Sequence, residues 1–436
     1  MPWDATILNW VMTDCFVHAS DLHLDAKLKN LGKLDAETVD FLRGEADKAW
    51  PNLVDLAVEK EASFMVLAGD LFDSGTAGFN ARRQFKEGLE RLDAEDISVF
   101  IVHGNHDPLT EDLRRRIGTL PDRTFVFDPG TPQTHPVELK SGRLAYVSGI
   151  SFGDRHEEGN LAKLFQNLSK KDGAHVAVLH TNLGGNKHHD NYAPCTEADL
   201  AEANIDYWAL GHIHLRSEPV RLDGGGWAAY SGNPQGRSSK TSECHPKGAL
   251  VVPINDDGTI GRPEFEECDS VRFIHSQIEV DDEGIGDVED AIRQSARTAR
   301  DESDGRPVVW FPSLSGRSSE PETLREGLEE FFREENDLGG LLNGGGPAKW
   351  PIDLRHITSR DDLVGSGGLP AAAMSRLDDR EALLATLGAL KENLNGELVT
   401  GLVTADDEDY GINDLDDEVV RLAETLLIDA LVDRDV

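Results

Sequence analysis

The chain has 436 residues, 81 of them acidic and 43 basic, for a formal net charge of -38. That length allows two or three domains around a large core, while the lack of an apolar run near ~18 residues and of a basic-then-apolar leader argues against a membrane span or secretory signal, so a cytoplasmic protein is expected. The bulk field of such a chain repels polyanions, so any action on nucleic acid needs local basic groups, metal ions or a basic partner.

The charge is uneven: residues 1–275 carry 43 acids and 28 bases, residues 276–436 the other 38 acids and 15 bases. An acid-rich, highly soluble surface suited to a salt-rich cytoplasm is the plain explanation. Cys15, Cys195, Cys244 and Cys268 form no Cys-x-x-Cys pair, which fits a reducing compartment and offers no zinc knuckle.

In chain order, residues 1–11 read as an extension ahead of Met12, and Cys15–His18 ends a short strand. A helix is expected over 45–60, with Leu53, Leu56 and Ala57 on one face. Phe64–Ala68 is a continuous apolar run closed by Gly69, as in a buried strand. A helix follows over 78–93, then a strand at Ile97–Val102. Later strands are expected at 143–150, 174–180, 207–211, 227–231 and 248–254, with helices over 159–170 and 196–203. This alternation predicts an α/β (α+β) fold, a mixed β-sandwich flanked by helices, over residues 1–275.

Residues 276–364 read as a small α/β capping module: strand Val271–Val280, helix 287–300, strand Val308–Leu314 and helix 321–334. Gly365–Gly368 before Pro370 reads as a linker. Residues 365–436 form an acidic helical region, with apolar stripes at Leu383, Leu387, Leu390 and Leu394 and at Leu415, Val419, Leu422, Leu426 and Ala430. Such stripes suit either self-packing or the docking of a partner.

Five short clusters put metal-binding side chains at the ends of apolar runs: Asp21-Leu-His23, Gly69-Asp70 with Asp73 close behind, Gly104-Asn-His-Asp107, His180, and Gly211-His-Ile-His214. One alone is more often structural; together and in order they read as the ligands of a two-metal hydrolytic site. Carboxylate, imidazole and amide oxygen without thiolate point to Mn²⁺, Mg²⁺ or Fe²⁺. In Asp21-x-His23 and His212-x-His214 a spacing of two puts both side chains on one face of an extended segment. Asp70, after a buried strand, is the candidate to reach both ions. Asn105 offers a neutral oxygen and leaves its neighbour His106 for substrate. Arg82-Arg83, Arg114–Arg116 and Lys170-Lys171 are weak phosphate candidates, and Arg237 is a stronger one. His188-His189 could line the mouth of the site, Tyr192 could stack on a base, and Trp208 is expected in the core.

These motifs resemble those of the calcineurin-like metallophosphoesterases. Within them, Gly69-Asp-Leu-Phe-Asp73, His180-Thr-Asn, Asn191-Tyr-Ala-Pro-Cys195, Tyr207-Trp-Ala-Leu-Gly-His-Ile-His214 and Ser231-Gly-Asn-Pro-Gln-Gly-Arg237 are similar to the SbcD-type DNA repair exonucleases, especially their YhaO-like branch. The resemblance implies one ion held by Asp21, His23, Asp70 and His214 and a second by Asp70, Asn105, His180 and His212. It also implies His106 as the catalytic histidine, Asp107 as the group that orients it, and Arg237 as a substrate contact. It further implies Mn²⁺-dependent exonuclease activity on DNA ends, dimerisation, and a C-terminal arm that binds a coiled-coil ATPase of the SbcC or YhaN kind. The rival reading is a metallophosphatase or phosphodiesterase for small-molecule or protein phosphoesters, since the fold hosts many substrates.

Overall fold

The strands that carry the motif clusters are buried at every position because each is covered on both faces. A computed structural model describes residues 14–29, 36–74, 78–184, 192–281, 284–318, 324, 326–328, 331, 342–343 and 352–356. Residues 1–11, His188, His189, the linker and the C-terminal leucine stripes lie outside these. The chain divides into two compact units, one of Met1–Ser276, Ala296–Phe311 and Asp337–Lys349 and the other of the remaining segments.

The first unit holds two six-stranded sheets. Its strands are β1 (Asp14–Ala19), β2 (Phe64–Ala68), β3 (Ser98–Val102), β4 (Thr124–Val126), β5 (Gln133–Glu138), β6 (Leu144–Gly149), β7 (Ala174–His180), β8 (Tyr207–Gly211), β9 (Val220–Arg221), β10 (Trp227–Tyr230), β11 (Gly248–Ile254) and β12 (Glu264–Glu267). One sheet runs β12-β11-β1-β2-β3-β4 and the other β5-β6-β7-β8-β10-β9. Strands β1 to β4 pair in parallel, as do β6, β7, β8 and β10; β11, β12, β5 and β9 are antiparallel.

The period of two sorts the side chains. Phe16, Phe64, Val66 and Phe100 of the first sheet meet Val147, Val176, Val178 and Tyr207 of the second between the layers. The Phe16 and Phe64 rings stack at 4.6 Å across their register pair. Val17, Met65, Leu67 and Ile101 face outward onto helices α2 (Ala49–Glu59) and α3 (Phe79–Ala94), whose Leu53, Phe85 and Leu89 cover them. On the other outer face Leu179, Trp208 and Leu210 pack with Leu161, Phe165 and Leu200. Trp208 is core, as the apolar run around it suggests. His18 crosses the inner layer, accepting from the Tyr207 hydroxyl at Nδ1 (2.9 Å) and donating from Nε2 to the Leu210 carbonyl (3.2 Å). Its complete burial pushes its pKa down to about 3.

The departures from expectation have local causes. The helix expected over 45–60 is two, α1 (Ala36–Ala46) and α2. The break at Asp47-Lys48 puts Pro51 in the first turn of α2, where a missing N–H costs nothing. Residues Leu161–Asn167 form a 3₁₀ helix rather than an α-helix, capped by the Asn160 side chain. Helix α4 (Glu111–Ile117) starts on the Thr110 hydroxyl, and α5 (Glu197–Ala201) on a reciprocal Thr196–Asp199 capping box. In these two sheets the four strands the pattern does not reveal, β4, β5, β9 and β12, are the four edges. An edge strand lacks a second paired neighbour, and β5 accordingly carries Pro136.

Strand β13 (Arg272–Asp281), helix α6 (Ile285–Asp301) and strand β14 (Val308–Ser318) follow in the expected order. Of the helix expected over 321–334, the described Leu324, Leu328 and Phe331 are buried, and Arg293 stacks on the Phe331 ring at 4.9 Å.

Candidate metal centre

Parallel strands present their carboxyl ends on one side, the usual place for a site in such sheets. The residues just past the ends of β1, β2, β3, β7 and β8 meet there. One Asp70 carboxylate oxygen lies 3.4 Å from His180 Nε2 and 3.9 Å from His23 Nε2, so this carboxylate faces two groups of side chains. On one side His23 Nε2 and His214 Nε2 stand 3.1 Å apart, with an Asp21 oxygen 4.0 Å from the latter. On the other, His180 Nε2 is 3.0 Å from Asn105 Oδ1. The His212 ring centroid is 5.3 Å from that of His180, and its backbone N–H donates to both Asp21 oxygens at 3.1 and 3.2 Å. The seven residues expected as ligands thus occupy one cluster.

The cluster fits divalent cations. The ligand atoms of Asp21, His23 and His214 lie within 4.8 Å of one another, as do those of Asp21, Asp70 and His180. His180 Nδ1–H donates to the Ala68 carbonyl at 2.9 Å, which turns the Nε2 lone pair toward Asp70. His23 Nδ1 is buried, 3.4 Å from an Asp73 carboxylate oxygen. Converging acceptors with few protons between them are what a cation satisfies, and the donor set contains no thiolate.

The backbone is bent to make this arrangement. Asp21, His23, Asp70 and His212 have φ of 53°, 44°, 51° and 102°. A non-glycine residue held in such a region costs of order 1–3 kcal/mol and persists only where its surroundings enforce it. Here the loops after β1 and β2 are stitched together: the N–H groups of Asp21, His23 and Leu24 donate to the carbonyls of Gly69, Asp70 and Leu71, each at 3.0 Å. Gly69 has φ of 95°, and a Cβ there would lie 2.4 Å from His180 Nδ1. A Cβ on Gly104 would lie 2.4 Å from an Asp70 carboxylate oxygen.

Charge follows geometry. Burial opposes ionisation of Asp70, but His180, His23 and His106 override it and hold the carboxyl far below its ordinary range. Burial likewise lowers His180, and Asp70 outweighs it, raising the ring to about 9. Hydrogen bonding to His23 brings Asp73 down to about 2.

Two expected roles are corrected. The Asp107 carboxylate is not hydrogen-bonded to the His106 ring. It accepts from Gly104 N (3.0 Å), Leu71 N (3.0 Å), Phe72 N (3.4 Å) and His103 Nδ1 (3.0 Å), tying the loops after β2 and β3 together. His106 is oriented by Asp73 instead: its Nδ1 donates to the Asp73 carbonyl at 3.0 Å and lies 3.7 Å from the Asp73 carboxylate. The His106 side chain is 42% exposed where Asp70 is 2%, so His106 faces the open side. Arg237 is buried, and its guanidinium donates to the carbonyls of Leu22 and Ala26 at 3.3 Å each. These bonds brace the loop that carries Asp21 and His23.

Glu243 escapes a motif search, lying in a polar stretch with no apolar run before it. Its carboxylate meets His214 Nδ1 at 2.5 Å. Burial would raise it, but His214 and Lys247 hold it down at about 2. Two of the three basic runs are engaged within the chain: Arg116 pairs with Asp112 at 2.6 Å, Arg83 with Glu87 at 3.1 Å, and Arg114 with Asp128. Tyr192 packs edge-on against His212 at 5.7 Å.

A family profile described as calcineurin-like phosphoesterase matches residues 16–216. The chain is 31% identical over 276 residues to the uncharacterized metallophosphoesterase YhaO of Bacillus subtilis, covering 62% of this chain and 64% of that one. It is 26% identical over 226 residues to the DNA double-strand break repair protein Mre11 of Methanococcus maripaludis, covering 50% and 56%. Against the protein of the same name from Thermoplasma acidophilum it is 30% identical over 323 residues, covering 72% and 80%. The chain therefore spans less than two thirds of the first two relatives.

Proposed function

This chain belongs to the calcineurin-like phosphoesterase family, and we propose that it is a metal-dependent phosphodiester hydrolase acting on DNA ends. The observation that carries the hydrolytic reading is Asp70, whose one carboxylate faces His23 on one side and His180 on the other. Asp21, His23, Asp70 and His214 would hold one ion, and Asp70, Asn105, His180 and His212 the other, with Mn²⁺ preferred over Mg²⁺ or Fe²⁺. Such a pair of ions activates water and neutralises charge on phosphoryl oxygens.

The chain's own residues supply the rest. The Asp73 carbonyl accepts from His106 Nδ1, which leaves Nε2 unengaged; as an imidazolium, with its second proton on Nε2, the ring would give that proton to the departing ester oxygen. The pinned loops keep the ligand atoms fixed, so little reorganisation accompanies the reaction. DNA as substrate is supported by the Asp70-Leu-Phe-Asp73 stretch and by relatives named DNA double-strand break repair proteins. A coiled-coil ATPase partner and a homodimer follow from the same resemblance. The net charge of -38 favours the rival, small phosphoesters.

Counting bound Mn²⁺ by elemental analysis and assaying hydrolysis in Asp70→Ala and His106→Ala tests the site. The expected result is two ions per chain in the unsubstituted protein, loss of both metal and activity in Asp70→Ala, and loss of activity with metal retained in His106→Ala. Hydrolysis that survives both substitutions refutes it.

A further inference from the structure

We propose that Glu243 is a positioning residue for His214, fixing that ring as a metal ligand; the inference rests on the two-ion reading above. Glu243 closes a short 3₁₀ turn, Thr241–Glu243, and is itself buried. One of its oxygens accepts from His214 Nδ1 at 2.5 Å. The other accepts from Asn233 Nδ2 at 2.9 Å and from the Arg237 N–H at 3.0 Å, so the carboxylate cannot rotate without losing three bonds. The His214 main chain is gripped as well: its carbonyl accepts from the Asn233 N–H at 3.2 Å and from Lys247 Nζ at 2.8 Å.

A carboxylate has no proton to give, so the bond requires the proton on Nδ1 and leaves Nε2 with its lone pair. That Nε2 is the nitrogen facing His23 and Asp21. A histidine ligand backed by a carboxylate is held in tautomer and orientation and becomes more basic, and removing such support typically costs 10–100-fold in metal affinity. His180 is backed by a backbone carbonyl and His23 by the Asp73 carboxylate, neither of which Glu243 touches, so a substitution at Glu243 isolates the support of His214.

The test is Mn²⁺ titration by calorimetry of the unsubstituted chain, Glu243→Gln and Glu243→Ala. It is joined by long-range ¹H–¹⁵N spectra of the Mg²⁺-loaded, histidine-labelled protein, with the His214 signal assigned against His214→Asn. The expected result is about 10–100-fold weaker Mn²⁺ binding in Glu243→Ala, a smaller loss in Glu243→Gln, and a proton on His214 Nδ1 in the unsubstituted chain. The spectra of the unsubstituted chain need no variant to fold: an Nδ1 without a proton overturns the inference. Equal Mn²⁺ affinity in the unsubstituted chain and a folded variant also overturns it. No Mn²⁺ binding by the unsubstituted chain overturns the two-ion reading itself and this inference with it.

Discussion

Replacing Gly104 by alanine adds one methyl group at the centre of the site. Its Cβ would lie 2.4 Å from an Asp70 carboxylate oxygen and 2.7 Å from His180 Nε2, where ordinary contact begins at 3.4 Å. Neither neighbour can swing away. Asp70 is buried and accepts from the His106 N–H at 2.9 Å, and His180 is buried and bonded to the Ala68 carbonyl. About 1 Å of displacement must therefore come from the ligand atoms or from the loop. A misplacement of that size costs on the order of 10²-fold in rate, and overpacking a rigid site costs about 1–3 kcal/mol in stability. The assay is steady-state hydrolysis of a small phosphodiester with Mn²⁺, run beside a denaturant melt. Gly118, exposed with nothing near its Cβ but with φ of 73°, is the control for a methyl group that strains only the backbone. Hydrolysis by Gly104→Ala within about twofold of the unsubstituted chain would refute the steric reasoning, because the clash would then have been absorbed without moving a ligand.

Further consequences follow from the same contacts. Asp107→Ala leaves four donors without their acceptor, so it should destabilise the fold by at least about 3 kcal/mol in a denaturant melt, since each orphaned buried group costs about 1–3 kcal/mol. Asp73→Ala should weaken Mn²⁺ binding, because it removes the carboxylate beside His23 Nδ1 while the main-chain carbonyl at position 73 still holds His106; a fall in kcat with unchanged Mn²⁺ affinity would contradict this. Arg237→Met should lower Tm and weaken Mn²⁺ binding without changing the salt dependence of DNA binding, and a reduced salt slope would restore a phosphate contact. His180 must lose its proton to accept a metal. With its pKa raised from 6.5 to about 9, Mn²⁺ affinity should climb up to about tenfold per pH unit across that window and level off above it. The metal-free fold behaves oppositely: the stabilisation His180 gains from Asp70 is full below 6.5 and is lost as pH rises through about 9.

Much of this site is legible in the sequence because a parallel sheet leaves a repeated signature. A short apolar run ends in a glycine or directly in a polar cluster, as at Phe64–Ala68 before Gly69-Asp70 and Tyr207–Leu210 before Gly211-His212. That signature gives the strand ends, and the strand ends give the candidate ligands. It gives nothing about partners that come from elsewhere in the chain. Which group orients His106 depends on how the loops after β2 and β3 pass each other, and nearness in sequence points to the Asp107 carboxylate where geometry points to the Asp73 carbonyl. Arg237 and Glu243 sit in the same returning loop, and neither a charged residue type nor a Gly/Pro turn says whether a side chain faces solvent or the back of a ligand loop. The edge strands escape for a related reason: half-paired and half-exposed, they need no apolar period.

The most direct measurement is hydrolysis of end-labelled duplex DNA by the purified chain with Mn²⁺, beside a small phosphodiester and a phosphomonoester, at two salt concentrations and with Asp70→Ala as the blank. Release of labelled nucleotide from the duplex, absent in the blank and absent without metal, is the predicted result. Cleavage of the small esters with the duplex left intact would contradict the DNA assignment, and product in the Asp70→Ala blank would contradict the metal centre itself.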